Sequence, residues 1–327
     1  MQPLVAKQDI SWSYYAEVFL KNGDEFIKFP AGIDSIYSTD SDYKKRFKVD
    51  SGTSCRQSAV SSIYASILQI KLYVESANPK AKMVAVPAIE IDGKTIFAKG
   101  GLGMSIYAQT AQDAICNPKV TVPLLDYICG NTMVLVDQKN NELIREYRKT
   151  QGRAGDFNNE DKNKIVYKGI SNFYLTCPVL NSLATGFARI ATNMAEQNRE
   201  YEGAGVDYLN QLQKLVPQED IINAINNNDF NLARKNWEKI GPFLAEVCPD
   251  CGFYPISVVK LPRFNYFIEQ GMDYWFKKDL AQSYIDYRTE GGEAHYLIEA
   301  FLDTIVQRDM NEVAIRLNKI DFNDIWK

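Results

Sequence analysis

Two stretches near the start of the chain alternate apolar and polar side chains. They are Tyr15-Ala16-Glu17-Val18-Phe19-Leu20 and Glu25-Phe26-Ile27-Lys28-Phe29, with Asn22-Gly23 between them. Asn-Gly is the favoured pair for a primed two-residue turn because both residues tolerate positive φ, so this segment is predicted to be a hairpin. The same argument predicts a second hairpin from Ile89-Glu90-Ile91 through Asp92-Gly93 to Thr95-Ile96-Phe97. Between the hairpins the period changes. Ala59, Ile63, Ile67, Ile70 and Val74 recur at spacings of three and four, which puts them on one face of a helix over 54–74. Asp50 or Ser51 is suited to cap that helix, and Asn78-Pro79 to end it.

Further along, the apolar run Met133-Val134-Leu135-Val136 after Cys129-Gly130 reads as a short strand. A charged helix over 142–149 and a polar loop or linker over 151–164 follow. From Pro178 onward the pattern is helical, with helices predicted over 179–197, 206–215, 218–226, 231–247, 265–287, 294–307 and 311–317. Pro217 stands where a first-turn proline is tolerated, and Glu219 and Asp220 suit a helix N-terminus. Pro242 is expected to break or kink its helix, since it lacks a donor and clashes with the preceding turn. No fixed-period repeat is evident across these helices, so a solenoid is not supported. The expected fold class is α+β: an N-terminal part with antiparallel hairpins around a helix, and an all-α C-terminal part. The expected domains are 1–170 and 171–327, with the boundary falling within 151–178.

Composition narrows this picture only a little. The chain has 327 residues, 46% hydrophobic and 24% charged, which is the balance of a globular protein. Its net charge of −4 speaks against a generic nucleic-acid binder. Residues 1–170 carry 22 Lys+Arg against 19 Asp+Glu, and residues 171–327 carry 15 against 22. The opening residues lack the basic start and apolar run of a secretory signal, and no apolar stretch is long enough to cross a bilayer. A cytoplasmic protein without a membrane partner is expected. The six cysteines, Cys55, Cys116, Cys129, Cys177, Cys248 and Cys251, are scattered, so free thiols are expected over a disulfide framework.

Several incomplete constellations carry candidate chemistry. Lys99-Gly100-Gly101-Leu102-Gly103-Met104-Ser105 resembles the deviant phosphate loop of the ParA/MinD ATPases. On that resemblance Lys99 is the early signature lysine, Gly100, Gly101 and Gly103 form the glycine-rich turn, and Ser105 supplies the magnesium-binding hydroxyl. The apolar run ending in Asp137 would then imitate the next strand and its carboxylate. Met104 replaces the lysine that reaches the β- and γ-phosphates, and a glycine-rich turn entering a helix accounts for the same residues.

Gly52-Thr53-Ser54-Cys55, followed by Ala59, resembles the start of the central helix of papain-like enzymes. That resemblance implies a Cys55 thiolate stabilised by the helix dipole and a proton taken by His295, the one histidine of the chain. The bland alternative is a buried thiol on a core helix. Cys248-Pro249-Asp250-Cys251 is half of a zinc site, or else a tight turn.

Two basic clusters, Lys44, Lys45, Arg46 and Lys48, and Arg145, Arg148, Lys149 and Arg153, are interleaved with aromatics that suit stacking on single-stranded bases. Acids among them equally suit a solvated face. The aromatic segment Phe264, Tyr266, Phe267, Tyr274, Trp275 and Phe276 suits a core or a protein-contact face.

The expectation drawn from these patterns is a non-enzymatic assembly or interaction protein, in the manner of a viral or phage particle subunit. Its partners would be copies of itself or other subunits, and it would need no cofactor. A nucleocapsid-like role along the basic clusters is a variant. The alternatives are a cysteine-dependent hydrolase using Cys55 and His295, and a degenerate nucleotide-binding protein using the Gly100–Ser105 loop.

Overall fold

The computed structural model describes residues 16–22, 25–31, 82–85, 88–98, 117–135, 137, 142–158, 165–176 and 204–247, with single helical residues within 184–195. These residues form a mixed α+β fold of small antiparallel sheets and helices. The predicted helix over 54–74 and the three predicted beyond residue 247 lie outside them.

Both predicted hairpins are present. Strands β1 (Ala16–Asn22) and β2 (Glu25–Ala31) pair antiparallel, and β3 (Lys82–Val84) adds to the other edge of β1. The pairing reaches Asn22↔Glu25, so Asn22 belongs to the ladder and not to the turn, and Gly23 lies outside the described residues. Strands β4 (Ala88–Ile91) and β5 (Lys94–Phe97) close on Asp92-Gly93 as the sequence predicts. Their φ angles of 50° and 70° are those of a turn that needs positive φ at both central residues.

Met133, Val134 and Leu135 do not form a strand, and Val136 lies outside the described residues. Met133 and Val134 lie in a helix that begins as α1 (Pro118–Leu125), passes through a π turn (Asp126–Gly130) and ends as α2 (Asn131–Val134). Asn117 caps its start, accepting the Lys119 amide at 3.1 Å, and Pro118 takes the first turn, where its missing donor costs nothing. Every residue from Leu124 to Leu135 is buried. A helix apolar on all sides belongs at the centre of a core, and over four residues its apolar run cannot be told from a buried strand. The finding also removes the imitation of an ATPase strand ending in Asp137.

Helix α3 (Glu142–Thr150) follows, then a turn into the two-residue strands β6 (Phe157–Asn158) and β7 (Val166–Tyr167), and a 3₁₀ turn (Asn172–Thr176). Three helices complete the described body: α4 (Ala204–Leu215), α5 (Gln218–Asn226) and α6 (Phe230–Val247). Pro217 is the N-cap of α5. Asn228, at φ 48°, ends α5 in the left-handed conformation. Asp229 then caps α6, its Oδ1 accepting the amides of Asn231 and Leu232 at 3.0 Å each.

Pro242 does not break α6, which runs on to Val247. It is exposed on the same face as Glu238, whose carbonyl it leaves without an intrahelical donor, so water can meet that carbonyl there.

One hydrophobic core joins the central helix to α4, α5, α6 and the helical residues within 184–195. Its side chains come from both sides of residue 170. Phe187 and Trp237 meet edge to face at 5.6 Å within it. Among the described residues no helix is long and apolar enough to cross a membrane.

Candidate functional site

The polar groups sealed into this core are concentrated where α3 and the β6–β7 excursion meet the central helix. Asp126 opens the π turn, and a π turn widens the helix so that one side chain is offered out of the regular ladder. Its Oδ1 accepts the Tyr167 hydroxyl at 2.7 Å, and its Oδ2 accepts the Gly155 amide at 2.8 Å. Tyr167 reaches that carboxyl through a slot floored by glycine. A Cβ at Gly130 or at Gly169 would collide with the tyrosine, and one at Gly130 would also come within 2.8 Å of Ile225.

Beside it stands an ion pair. Arg148 Nη2 meets Asp137 Oδ2 at 2.9 Å with neither side chain exposed, and Asp137 Oδ1 accepts the Ser171 hydroxyl at 2.7 Å. Arg148 Nη1 donates to the Gly169 carbonyl at 2.6 Å and also to the Gly152 carbonyl. Its Nε has no hydrogen-bond partner. The Arg148 guanidinium also lies 5.9 Å from the centre of the Tyr147 ring.

Burial dominates the electrostatics. It pushes the Asp126 carboxyl up to about 7; the Tyr167 hydroxyl, the Gly155 amide and the Arg148 charge oppose this, and Asp156 adds to it. Burial also raises Asp137, against the pull of the Arg148 charge and the bonds from Ser171 and Arg148. The Tyr167 phenol is raised by burial and then by the neighbouring Asp126. Burial raises the Cys129 thiol as well, which makes it a poor nucleophile; it donates to the Ala184 carbonyl at 3.6 Å. The cluster can therefore hold a proton at a carboxyl near neutrality. Asp126 is only 6% exposed, and both of its oxygens are engaged.

The sequence-predicted candidates fall elsewhere or on one edge of this cluster. Lys44, Lys45, Arg46, Lys48, Cys55, Lys99, Gly100, Gly101, Gly103, Ser105, Cys248, Cys251 and His295 lie outside the described residues. Of the second basic cluster, Arg145, Lys149 and Arg153 are exposed. Lys149 pairs with Glu146 one turn earlier. Arg148 is a correction: it points into the core, bound to Asp137 and two carbonyls, and no nucleic acid can reach it there. Ile144, Tyr147 and Arg148 are all buried, and their helical spacing puts the arginine on the inner face of α3.

Sequence reasoning missed Asp126, and it took Asp137 for the carboxylate at the end of an ATPase-like strand instead of the partner of Arg148. The available signal was a single carboxylate placed inside or directly after an apolar run, since a buried acid must be paired or protonated. Among the described residues no group of three or more His, Cys, Asp or Glu could hold a metal ion.

No family model matches this sequence, and neither a curated protein nor a solved structure matches it.

Proposed function

We propose that this chain is a non-enzymatic assembly protein. It makes its contacts with copies of itself or with other subunits, in the manner of a viral or phage particle subunit. The reading is supported by the large apolar side chains left at the surface of two consecutive helices: Val206 and Leu215 on α4, and Ile222 on α5, each more than a third exposed. Apolar surface that folding leaves open is what association can still bury. The aromatic segment Phe264–Phe276 adds side chains of the kind that anchor protein interfaces. Within the described body, the buried Asp126, Asp137 and Arg148 bond to groups of the protein itself.

The test is the mass of the purified full chain across a concentration series, by light scattering behind a sizing column, with negative-stain images of the same fractions. The expected result is a symmetric assembly that dissociates on dilution. A single chain at every concentration overturns the proposal. If that monomer melts higher with ATP and magnesium, the nucleotide reading replaces it; if it labels with a thiol probe at Cys55, the hydrolase reading does.

A further inference from the structure

Asp126 and Arg148 reach the same two segments of the chain. The arginine bonds the carbonyls of Gly152 and Gly169. The aspartate bonds the Gly155 amide and the Tyr167 hydroxyl. Each side chain therefore ties together both arms of the excursion that leaves α3 and returns through β7, Asp126 from the central helix and Arg148 from α3. The β6–β7 ladder between those arms is only two residue pairs long, Phe157↔Tyr167 and Asn158↔Val166, so it contributes little docking of its own. The Ala154 amide adds one bond to Asn226 Oδ1 on α5, at 2.9 Å.

The charges in this cluster do not balance if Asp126 ionises. Arg148 already has its counter-ion in Asp137 at 2.9 Å, so a charged Asp126 is the surplus anion in a buried place. Among the described residues, the other groups facing it do not offset that surplus. From the turn before β6 comes Asp156, another acid; from β7, the Tyr167 phenol; from the π turn itself, the Cys129 thiol. On α5, Asp220 acts on the adjacent Tyr127. Among the described residues of the arms, the remaining charged side chains are Arg153, exposed, and Lys168, half-buried.

We propose that Asp126 is a proton-operated latch: neutral, it seats the arms around β6 and β7 on the central helix, and ionised, it favours an open state in which those arms lift and the carboxylate meets water. Arg148 keeps its charge throughout and acts as the fixed half of the clasp. The direction follows from linkage. The closed state holds the Asp126 proton to about pH 7, while a hydrated carboxyl gives it up near the ordinary value of 3.8. Closure is therefore favoured fully below 3.8, and the advantage is lost as pH rises through about 7.

The measurement is native-state amide exchange of the full chain, corrected for the intrinsic pH dependence of exchange, read at Gly155 and at Lys168. The Lys168 amide donates to the Asp156 carbonyl across the two arms at 2.9 Å. From about pH 5 to about pH 8 the opening constant at both amides is expected to rise roughly 10- to 100-fold. In Asp126→Asn, which cannot ionise, the rise is expected to vanish. A flat wild-type profile, or a rise that persists in Asp126→Asn, overturns the latch. Should Asp126→Asn fail to fold, Tyr167→Phe decides instead. It removes a bond that favours the ionised carboxyl, so the midpoint of the rise moves to higher pH; a midpoint that stays or falls overturns the proposal.

Discussion

Arg148 and Asp137, eleven residues apart, meet at 2.9 Å with no exposed side-chain surface on either. Breaking such a pair from one side leaves a buried charge uncompensated, which costs about 3–5 kcal/mol. Arg148→Met also removes the donor to the Gly152 and Gly169 carbonyls, so the loss is expected at the upper end of that range. Urea unfolding of the purified variant measures it. Arg145→Met and Lys149→Met, on the exposed side of the same helix, should each change stability by no more than about 0.5 kcal/mol. Equal costs at all three positions would refute the inward placement of Arg148.

The slot for Tyr167 predicts a steric hierarchy among the glycines. Gly130→Ala pushes a Cβ into both Tyr167 and Ile225, inside a helix that is buried on every side. Overpacking of that kind costs about 1–3 kcal/mol. Gly93→Ala meets nothing within 4 Å and pays only for its φ of 70°, on the order of 1 kcal/mol. The two costs separate in a double substitution. Combined with Tyr167→Ala, Gly130→Ala should cost less than it does alone, whereas Gly93→Ala should add independently. Thermal unfolding of the five variants is the check.

Two buried phenols weaken the fold at alkaline pH. Tyr127, whose hydroxyl donates to the Val216 carbonyl at 2.7 Å, and Tyr167 both have pKa values raised above the ordinary 10.0, burial being the main cause. The unfolded chain therefore releases these protons first. The stability they contribute is intact below about pH 10 and is lost as pH rises beyond it. Denaturant midpoints between about pH 9 and about pH 11 should fall steeply in the wild type and less steeply in Tyr127→Phe. At neutral pH the same variant is expected to lose about 0.5–1.5 kcal/mol with the Val216 bond.

What could be read from the sequence was whatever a short window decides. Asp92-Gly93 demanded positive φ at both positions and got it. Helix α5 was legible to the residue, because Pro217 and the acids after it mark its start. The central helix was not, since Leu124 to Leu135 is buried on all faces and carries no amphipathic period. Asn22 went to the ladder and not to the turn because pairing continues to Asn22↔Glu25, which is a property of the partner strand. The clasp was the least legible part. Asp126 finds Tyr167 across 41 residues, and Asp137 finds Ser171 across 34. The spacing of Ile144, Tyr147 and Arg148 was a local hint that the arginine turns inward, but clustering with Arg145 and Lys149 concealed it.

The surface apolar residues give the remaining test, and it separates folding from association. Val206 and Ile222 are exposed in a single chain, so replacing them should leave the core untouched and change unfolding free energy by no more than about 0.5 kcal/mol. If α4 and α5 carry a subunit contact, Val206→Lys and Ile222→Lys place charges in that contact, where burying them is costly. The variants should then keep the far-ultraviolet circular dichroism and melting of a folded chain while their assembly shifts to at least 10-fold higher concentration in sedimentation velocity. A control at Glu238→Lys, on the exposed face of α6, should leave assembly where it was. If all three variants assemble like the wild type, the contact lies on another face; if Glu238→Lys disrupts as strongly as the other two, net charge rather than apolar contact governs association.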